Sequence, residues 1–147
     1  MSTRCNIEIM RERYHKDKKT GQYMPSGKFQ RCALLYRHSN GYPDGEYGVL
    51  NEIVPFIKEF VYKRGWDPEY LAARLLQYLT NNYDKRFTQL DTKKISLVTE
   101  TLCYGICRDY HCDISYLYRV YPDRIEVLKP IDVECNKFKK IQKVKFE

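Results

Sequence analysis

The pattern of apolar residues in the middle of the chain most constrains the fold. From Val49 to Val61, apolar residues recur at spacings of three and four, and a second stripe of the same kind runs from Leu71 to Leu79. This spacing places apolar side chains on one face of an α-helix. Two amphipathic helices therefore follow one another, and each must bury its apolar face against another layer.

The ends of these stripes carry helix signals. Gly65 follows the first stripe, where glycine commonly ends a helix. Asp67 and Pro68 open the second as an N-cap carboxylate and a first-position proline, and this helix is expected to run to about Asn82. Pro55 lies inside the first stripe, so either the regular helix begins only a few residues before it or the helix bends there.

Segments with period-two alternation lie on both sides of the helices and predict strands. They are 5–9 and 30–38 before the helices, and 98–106, 114–120 and 125–127 after them. Strands and helices that are segregated in this way exclude a doubly wound sheet. The pattern predicts one α+β domain over residues 1–147, with the order ββααβββ. We expect an antiparallel sheet of about five strands, with both helices packed on one face.

The C-terminal residues 131–147 include five lysines and a few spaced apolar residues. This segment is expected to be a basic C-terminal arm. It could form an edge strand, an amphipathic arm or a frayed tail. No apolar run approaches the roughly 20 residues of a membrane helix. Charged residues from Arg4 to Glu12 interrupt the N-terminal apolar residues, which argues against a secretory signal and predicts a cytoplasmic protein.

The formal charge of +7 and the 14 tyrosines favour an anionic partner such as nucleic acid or a nucleotide. The alternative is a charge network that serves stability at high temperature, as in thermophiles. The polar, turn-rich segments 15–21 and 25–28 suggest a long hairpin loop between the first two strands. Its lysines are candidates for contacts with a nucleic-acid backbone: Lys16, Lys18, Lys19 and Lys28.

Polar and aromatic residues also concentrate in the turn between the second strand and the first helix. Arg37 offers a planar fork of donors for phosphate or carboxylate, His38 can transfer a proton, and Tyr42 could stack on a base. The structural alternative is that residues 40–45 simply form a turn, with Tyr42 covering the core. Both interpretations remain open at this point.

His111 and Asp113 are a second pair of candidate ligand-binding residues. The alternative is that His111 is only a turn residue. If the two segments pack side by side, Arg37, His38, His111 and Asp113 could form one cleft that binds a phosphodiester or acts on it as acid and base.

The six cysteines have three open interpretations. Cys5 and Cys32 could form a disulfide if their strands are neighbours, and all six could equally be buried thiols. The group of Cys103, Cys107, His111 and Cys112 matches no Cys-x₂-Cys zinc pattern. We therefore expect no metal and no cofactor.

The run Tyr36-Arg37-His38-Ser39-Asn40-Gly41-Tyr42-Pro43, taken with the N-terminal Ser2-Thr3-Arg4 and the later Asp113-Ile114-Ser115-Tyr116, resembles a family of small proteins of phages, prophages and archaeal mobile elements. Asn40 stands where that family usually has aspartate. The resemblance implies a viral or mobile-element setting and no particular activity. Two functions are expected: a non-enzymatic protein that binds nucleic acid, a nucleotide or a host protein, or a small phosphodiesterase or nuclease that depends on histidine and arginine.

Overall fold

The structure is a computed structural model that describes residues 3–88 and 103–146. It contains two α-helices and six strands in the order ββααββββ. A π-helical turn over Asp84–Thr88 continues the second helix. The strands are β1 (Cys5–Lys16), β2 (Tyr23–Arg37), β3 (Tyr104–Ile106), β4 (Tyr116–Val120), β5 (Arg124–Pro130) and β6 (Phe138–Lys145), and the helices are α1 (Val49–Arg64) and α2 (Pro68–Tyr83).

Both helices match the sequence prediction. α1 begins at Val49 and runs through Pro55, and Gly65 follows its last residue with a φ of 73°. Pro68 is the first residue of α2, after Asp67. Of the strand expected over 98–106, only Tyr104–Ile106 is a strand in the described part, and residues 98–102 lie outside it.

The six strands form one mixed sheet in the order β3-β2-β1-β4-β5-β6. The prediction of an antiparallel sheet of about five strands is therefore only partly correct, because β1 and β4 pair in parallel. The cause lies in residues 107–115. β3 runs in the same direction as β1, and this segment then returns across the sheet, so that β4 starts beside Cys5 and runs alongside β1. The sixth strand is β6, which the C-terminal arm forms along the outer edge of β5.

The two helices pack on one face of the sheet. Ile7 and Ile9 of β1 share a buried cluster with Ile53 of α1 and Leu75 of α2, and Val127 of β5 joins it. Since alternate strand residues point to opposite faces, Asn6 and Glu8 lie on the other side, which we call the second face. A smaller apolar cluster around Leu117 and Leu128 covers part of that second face.

The long hairpin loop expected between the first two strands is instead a two-stranded ribbon. β1 continues to Lys16, where it pairs with Tyr23, and only residues 17–22 turn the chain. Two register irregularities occur in this pairing, at Ile9/Met10 and at Glu12/Tyr14. Most side chains beyond Met10 are exposed, so neither side of the ribbon needs an apolar row. This is why alternation in the sequence stops near Ile9 although the strand continues.

All six thiols are free. Cys5 pairs with Arg37, whereas Cys32 lies beside the Ile9/Ala33 pair, about 13 Å along the strand, so the two sulfur atoms do not meet. Cys103 is buried, and Cys107 lies beside the amide of Asn6. None of the helices in the described ranges is long and apolar enough to cross a membrane.

Candidate functional site

Positive charge is concentrated in the ribbon formed by residues 11–31. This segment carries seven basic and two acidic side chains, a net charge of +5 in a protein whose total is +7. From Met10 to Lys16 the paired strands extend for about 20 Å at roughly 3.3 Å per residue. The four lysines selected from the sequence are exposed on this ribbon: Lys16, Lys18, Lys19 and Lys28.

The tip and the middle of the ribbon are held by local hydrogen bonds. Asp17 accepts from the amide of Lys19 at 3.1 Å and from the hydroxyl of Thr20 at 3.0 Å. Glu12 accepts from the amide of Gly27, whose φ is 74°. The lysines are therefore presented on an ordered turn, with both acidic side chains of the segment engaged by the ribbon itself.

A second group of cations follows the ribbon onto the second face, and we call it the basic strip. It consists of four cations around two carboxylates: Arg31, Arg119, Arg124 and Lys140 with Glu8 and Glu126. Glu8 accepts from Arg31 at 2.7 Å and from Arg119 at 2.6 Å. Glu126 accepts from Arg124 at 3.2 Å and from Lys140 at 3.1 Å. The strip keeps an excess of positive charge.

Glu8 is the buried centre of this strip, with 3% of its surface exposed. Burial by itself would raise the pKa of Glu8. Hydrogen bonds from the Tyr110 hydroxyl, Arg31 and Arg119 outweigh that effect and lower the pKa. The Glu8 carboxylate is therefore ionised, and its hydrogen bonds orient two arginines.

Two of the predicted site segments do meet at the opposite end of the second face, where β1 begins. Tyr36 stacks on His111 with ring centroids 3.8 Å apart, and its hydroxyl lies 3.3 Å from Nδ1 of His38. Asp113 lies 3.2 Å from Arg4 and 3.7 Å from Nδ1 of His111. We call these five side chains the histidine cluster.

The histidine cluster is open to solvent but has a fixed base. The exposed fractions of its His111 and Asp113 side chains are 42% and 39%. Asn6, which is fully buried, accepts a hydrogen bond from the backbone amide of His111 at 3.1 Å and donates to the carbonyl of Leu35 at 2.9 Å. Asn6 therefore attaches the 107–115 segment to the sheet and holds the second histidine near the first.

Arg37 is not part of this cluster, which corrects the expectation of one cleft. It lies on the helix side, 2% exposed, and pairs with Glu52 of α1 at 2.9 Å. It also donates to the backbone carbonyls of Ser39 and Tyr47, each at 2.8 Å. Alternation along β2 explains the separation, because Tyr36 and Arg37 must point to opposite faces. The buried guanidinium of Arg37 therefore connects β2 to α1 and to the turn before it.

Tyr42 also takes a structural place in the turn. Its hydroxyl donates to the side-chain oxygen of Asn40 at 3.1 Å. Gly41 packs so closely against the chain that a Cβ there would lie 2.8 Å from the carbonyl oxygen of Thr3. The hydroxyl of Tyr118 donates to the carbonyl of Gly41 at 2.6 Å. The turn is thus tied to the start of β1, and the half-buried Tyr42 is held within it through Asn40.

The sequence reasoning missed four functional candidates: Arg4, Tyr36, Arg31 and Arg119. Tyr36 and Arg31 both belong to β2, but they are five positions apart, so strict alternation would place them on opposite faces. The register irregularity at Ile9/Met10 brings Arg31 to the face of Glu8, and the sequence gives no signal for it. Arg4 and Arg119 carry no local signal, since their positions depend on the parallel pairing of β1 with β4. Within the described residues, no group of three or more His, Cys, Asp and Glu side chains could hold a metal ion.

Comparison with protein-family models, with curated proteins and with solved structures found no match for this chain. Three features of the described residues bear on its function: the ribbon, the basic strip and the histidine cluster.

Proposed function

We propose that the protein binds nucleic acid through the ribbon and the adjoining basic strip, mainly by contacts with phosphates. The observation that carries this proposal is the net charge of +5 on one projecting segment, residues 11–31. Clustered lysines and arginines attract a polyanion and release its counterions on binding. Lysine is a flexible point charge, which suits phosphate contacts better than reading of base edges.

The shape of the ribbon supports duplex DNA as the partner. A two-stranded ribbon fits into the major groove, which is about 12 Å wide. The exposed strands reach about 20 Å from the sheet, so that the lysines of the tip and Lys28 can reach phosphates on both sides of the groove. The basic strip then lies beside the base of the ribbon, where the DNA backbone continues.

Salt dependence of binding to a mixed-sequence duplex tests the proposal. We expect the logarithm of the affinity to fall linearly with the logarithm of the salt concentration, by about 0.9 for each phosphate neutralised. A variant with glutamine at the four ribbon lysines is expected to reduce that slope by about 3 to 4. The ribbon lysines are Lys16, Lys18, Lys19 and Lys28.

A matched control changes four exposed lysines elsewhere to glutamine and removes the same charge: Lys58, Lys63, Lys85 and Lys129. This control is expected to keep most of the slope. Absence of binding at low salt would contradict the proposal, and so would equal losses in the ribbon variant and the control.

The histidine cluster favours a second candidate function, cleavage of RNA. One of His38 and His111 would take the proton of a 2′-hydroxyl as its oxygen attacks phosphorus. The other would donate a proton to the departing 5′-oxygen, giving a 2′,3′-cyclic phosphate and a 5′-hydroxyl. Arg4, at 3.2 Å from Asp113, would bind the phosphate oxygens.

End-labelled RNA tests this second function. We expect His38→Ala and His111→Ala each to abolish cleavage, and His15→Ala, which changes the remaining histidine of the chain, to retain it. The matching DNA strand should stay intact, because it has no 2′-hydroxyl. Cleavage that survives both cluster substitutions would assign the activity to another protein in the sample.

A further inference from the structure

A cleft of about 550 Å³ lies where the base of the ribbon meets the turn between α1 and α2. Trp66 and Pro68 form one side of it. The other side comes from the ribbon, including Arg11, Arg13 and Tyr14. Binding sites for small molecules typically have volumes between 300 and 1,000 Å³ and combine aromatic walls with a few polar groups. The cleft has the size and the lining of such a site.

The indole of Trp66 lines this cleft, and its nitrogen has no hydrogen-bond partner among the described residues. Nε1 is buried, and no acceptor lies within hydrogen-bond distance of it in the described part of the chain. Buried N–H groups in proteins nearly always have an acceptor. Because Nε1 is shielded from solvent, a ligand in the cleft meets the indole ring and not this N–H.

The charges around the cleft fit one phosphate group. Arg11 approaches Glu69 only to 4.0 Å and is half exposed, so its donors can turn to a ligand. Glu12, the acidic side chain of the lining, is already engaged by the amide of Gly27. Two guanidiniums, those of Arg11 and Arg13, suit bidentate contacts with phosphate oxygens. With two carboxylates nearby, this balance favours a monophosphate over a triphosphate.

The two aromatic rings supply the other half of a nucleotide site. Trp66 forms the wall on the helix side, and Tyr14 is exposed over 62% of its surface on the ribbon side. Nucleic-acid bases stack on such rings with little dependence on sequence.

We propose that this cleft binds one nucleoside monophosphate unit, with its base against Trp66 and its phosphate at Arg11 and Arg13. The unit can be a free nucleotide or a nucleotide of a bound strand. The inference deepens the proposed function, since the cleft lies at the base of the ribbon, but free nucleotide tests it without any nucleic acid.

Trp66 is the single tryptophan of the chain, so its fluorescence reports on the cleft directly. We expect adenosine 5′-monophosphate to quench this fluorescence with a saturable curve. Adenosine should bind at least about tenfold more weakly, and inorganic phosphate should not quench, because each has only half of the recognised chemistry. A second titration uses a short single-stranded oligonucleotide at the same ionic strength.

Two variants decide whether the signal arises from this site. Arg13→Gln is expected to weaken nucleotide binding by about tenfold, whereas Arg74→Gln, which changes an exposed arginine on α2, should leave it unchanged. Trp66→Phe removes the reporter, and equilibrium dialysis with labelled nucleotide should show weaker binding, since phenylalanine offers a smaller ring for the base to stack on.

The outcomes separate the cleft from the ribbon. Saturable quenching that Arg13→Gln weakens supports the proposal, and the ligand that produces it, free nucleotide or oligonucleotide, identifies the source. Absence of quenching with both ligands overturns the cleft, while salt-sensitive duplex binding in the same sample would leave the ribbon function intact. Nucleotide binding without duplex binding would support the cleft and contradict the proposed function of the ribbon. Equal affinity in Arg13→Gln and Arg74→Gln also overturns the proposal.

Discussion

Replacing Arg37 by leucine is expected to lower the free energy of unfolding by about 3 kcal/mol. The side chains of Arg37 and Glu52 are 3% and 6% exposed, and their charged groups lie 2.9 Å apart. Removing one member of a buried ion pair leaves the other charge without compensation, which typically costs about 3–5 kcal/mol. The substitution also leaves the carbonyls of Ser39 and Tyr47 without the donors that they now have at 2.8 Å.

Two neighbours of Glu52 and an unpaired donor of Arg37 itself place the expected loss at the lower end of that range. Arg86 lies 3.5 Å from the same carboxylate, and the amide of Asn82 lies 3.5 Å from its second oxygen, so Glu52 keeps partial compensation. Nη1 of Arg37 is buried and has no hydrogen-bond partner among the described residues. Its removal relieves an unpaired donor, an effect of about 1 kcal/mol in the opposite direction.

Urea unfolding followed by far-ultraviolet circular dichroism measures this loss. The double variant Arg37→Leu/Glu52→Leu is expected to lose less stability than the sum of the two single variants, because no unpaired charge is left in the core. Glu59→Gln breaks a pair of similar length, 2.8 Å, whose side chains are 66% exposed, and should unfold like the wild type. A loss below about 1 kcal/mol in Arg37→Leu would refute the reasoning.

Three further predictions concern the rest of the protein. Because the pKa of Glu8 is lowered in the folded protein, its stabilising effect is complete above the ordinary glutamate pKa and is lost as the pH falls through the lowered value. In urea unfolding, Glu8→Gln should therefore show a smaller decline of stability below about pH 4.5 than the wild type. Leu75→Ala and Ile53→Ala, both fully buried, should each cost about 2–4 kcal/mol in the same assay, and losses under about 1 kcal/mol would contradict the assigned helix faces. Thiol labelling of the native protein should modify the exposed Cys112 first, whereas burial raises the pKa of Cys5 to about 12 and should delay its reaction until denaturant is added.

The sequence predicted the helices because their signals are local. Three-and-four spacing, Gly65 and the Asp67-Pro68 pair act within one or two turns, and the bounds Val49–Arg64 and Pro68–Tyr83 agree with them. The parallel pairing of β1 with β4 has no such signal. It follows from the path of residues 107–115 across the second face. Contacts between residues far apart in the sequence determine this path, such as the hydrogen bond between Asn6 and His111.

In the candidate site, too, local sequence patterns predicted some features, and contacts between distant residues determined the others. Segments 36–38 and 111–113 do meet, as the sequence allowed, and period-two alternation sends Arg37 away from them to a partner that lies fifteen positions later. A basic side chain beside a turn looks the same in sequence whether its partner is a phosphate or a glutamate of the core. Only burial distinguishes the two, and burial depends on the completed sheet.

The sequence did not predict the two strands of the ribbon, and the reason for this also bears on the proposed function. A strand whose two sides both meet solvent gains little from apolar burial, so the alternation that identifies strands is absent after Ile9. Its geometry is fixed instead by pairing with its neighbour and by hydrogen bonds at Asp17 and Glu12. Apolar packing therefore does not select the exposed side chains of the ribbon. Their net charge of +5 is the observation on which our proposal of a polyanionic partner rests.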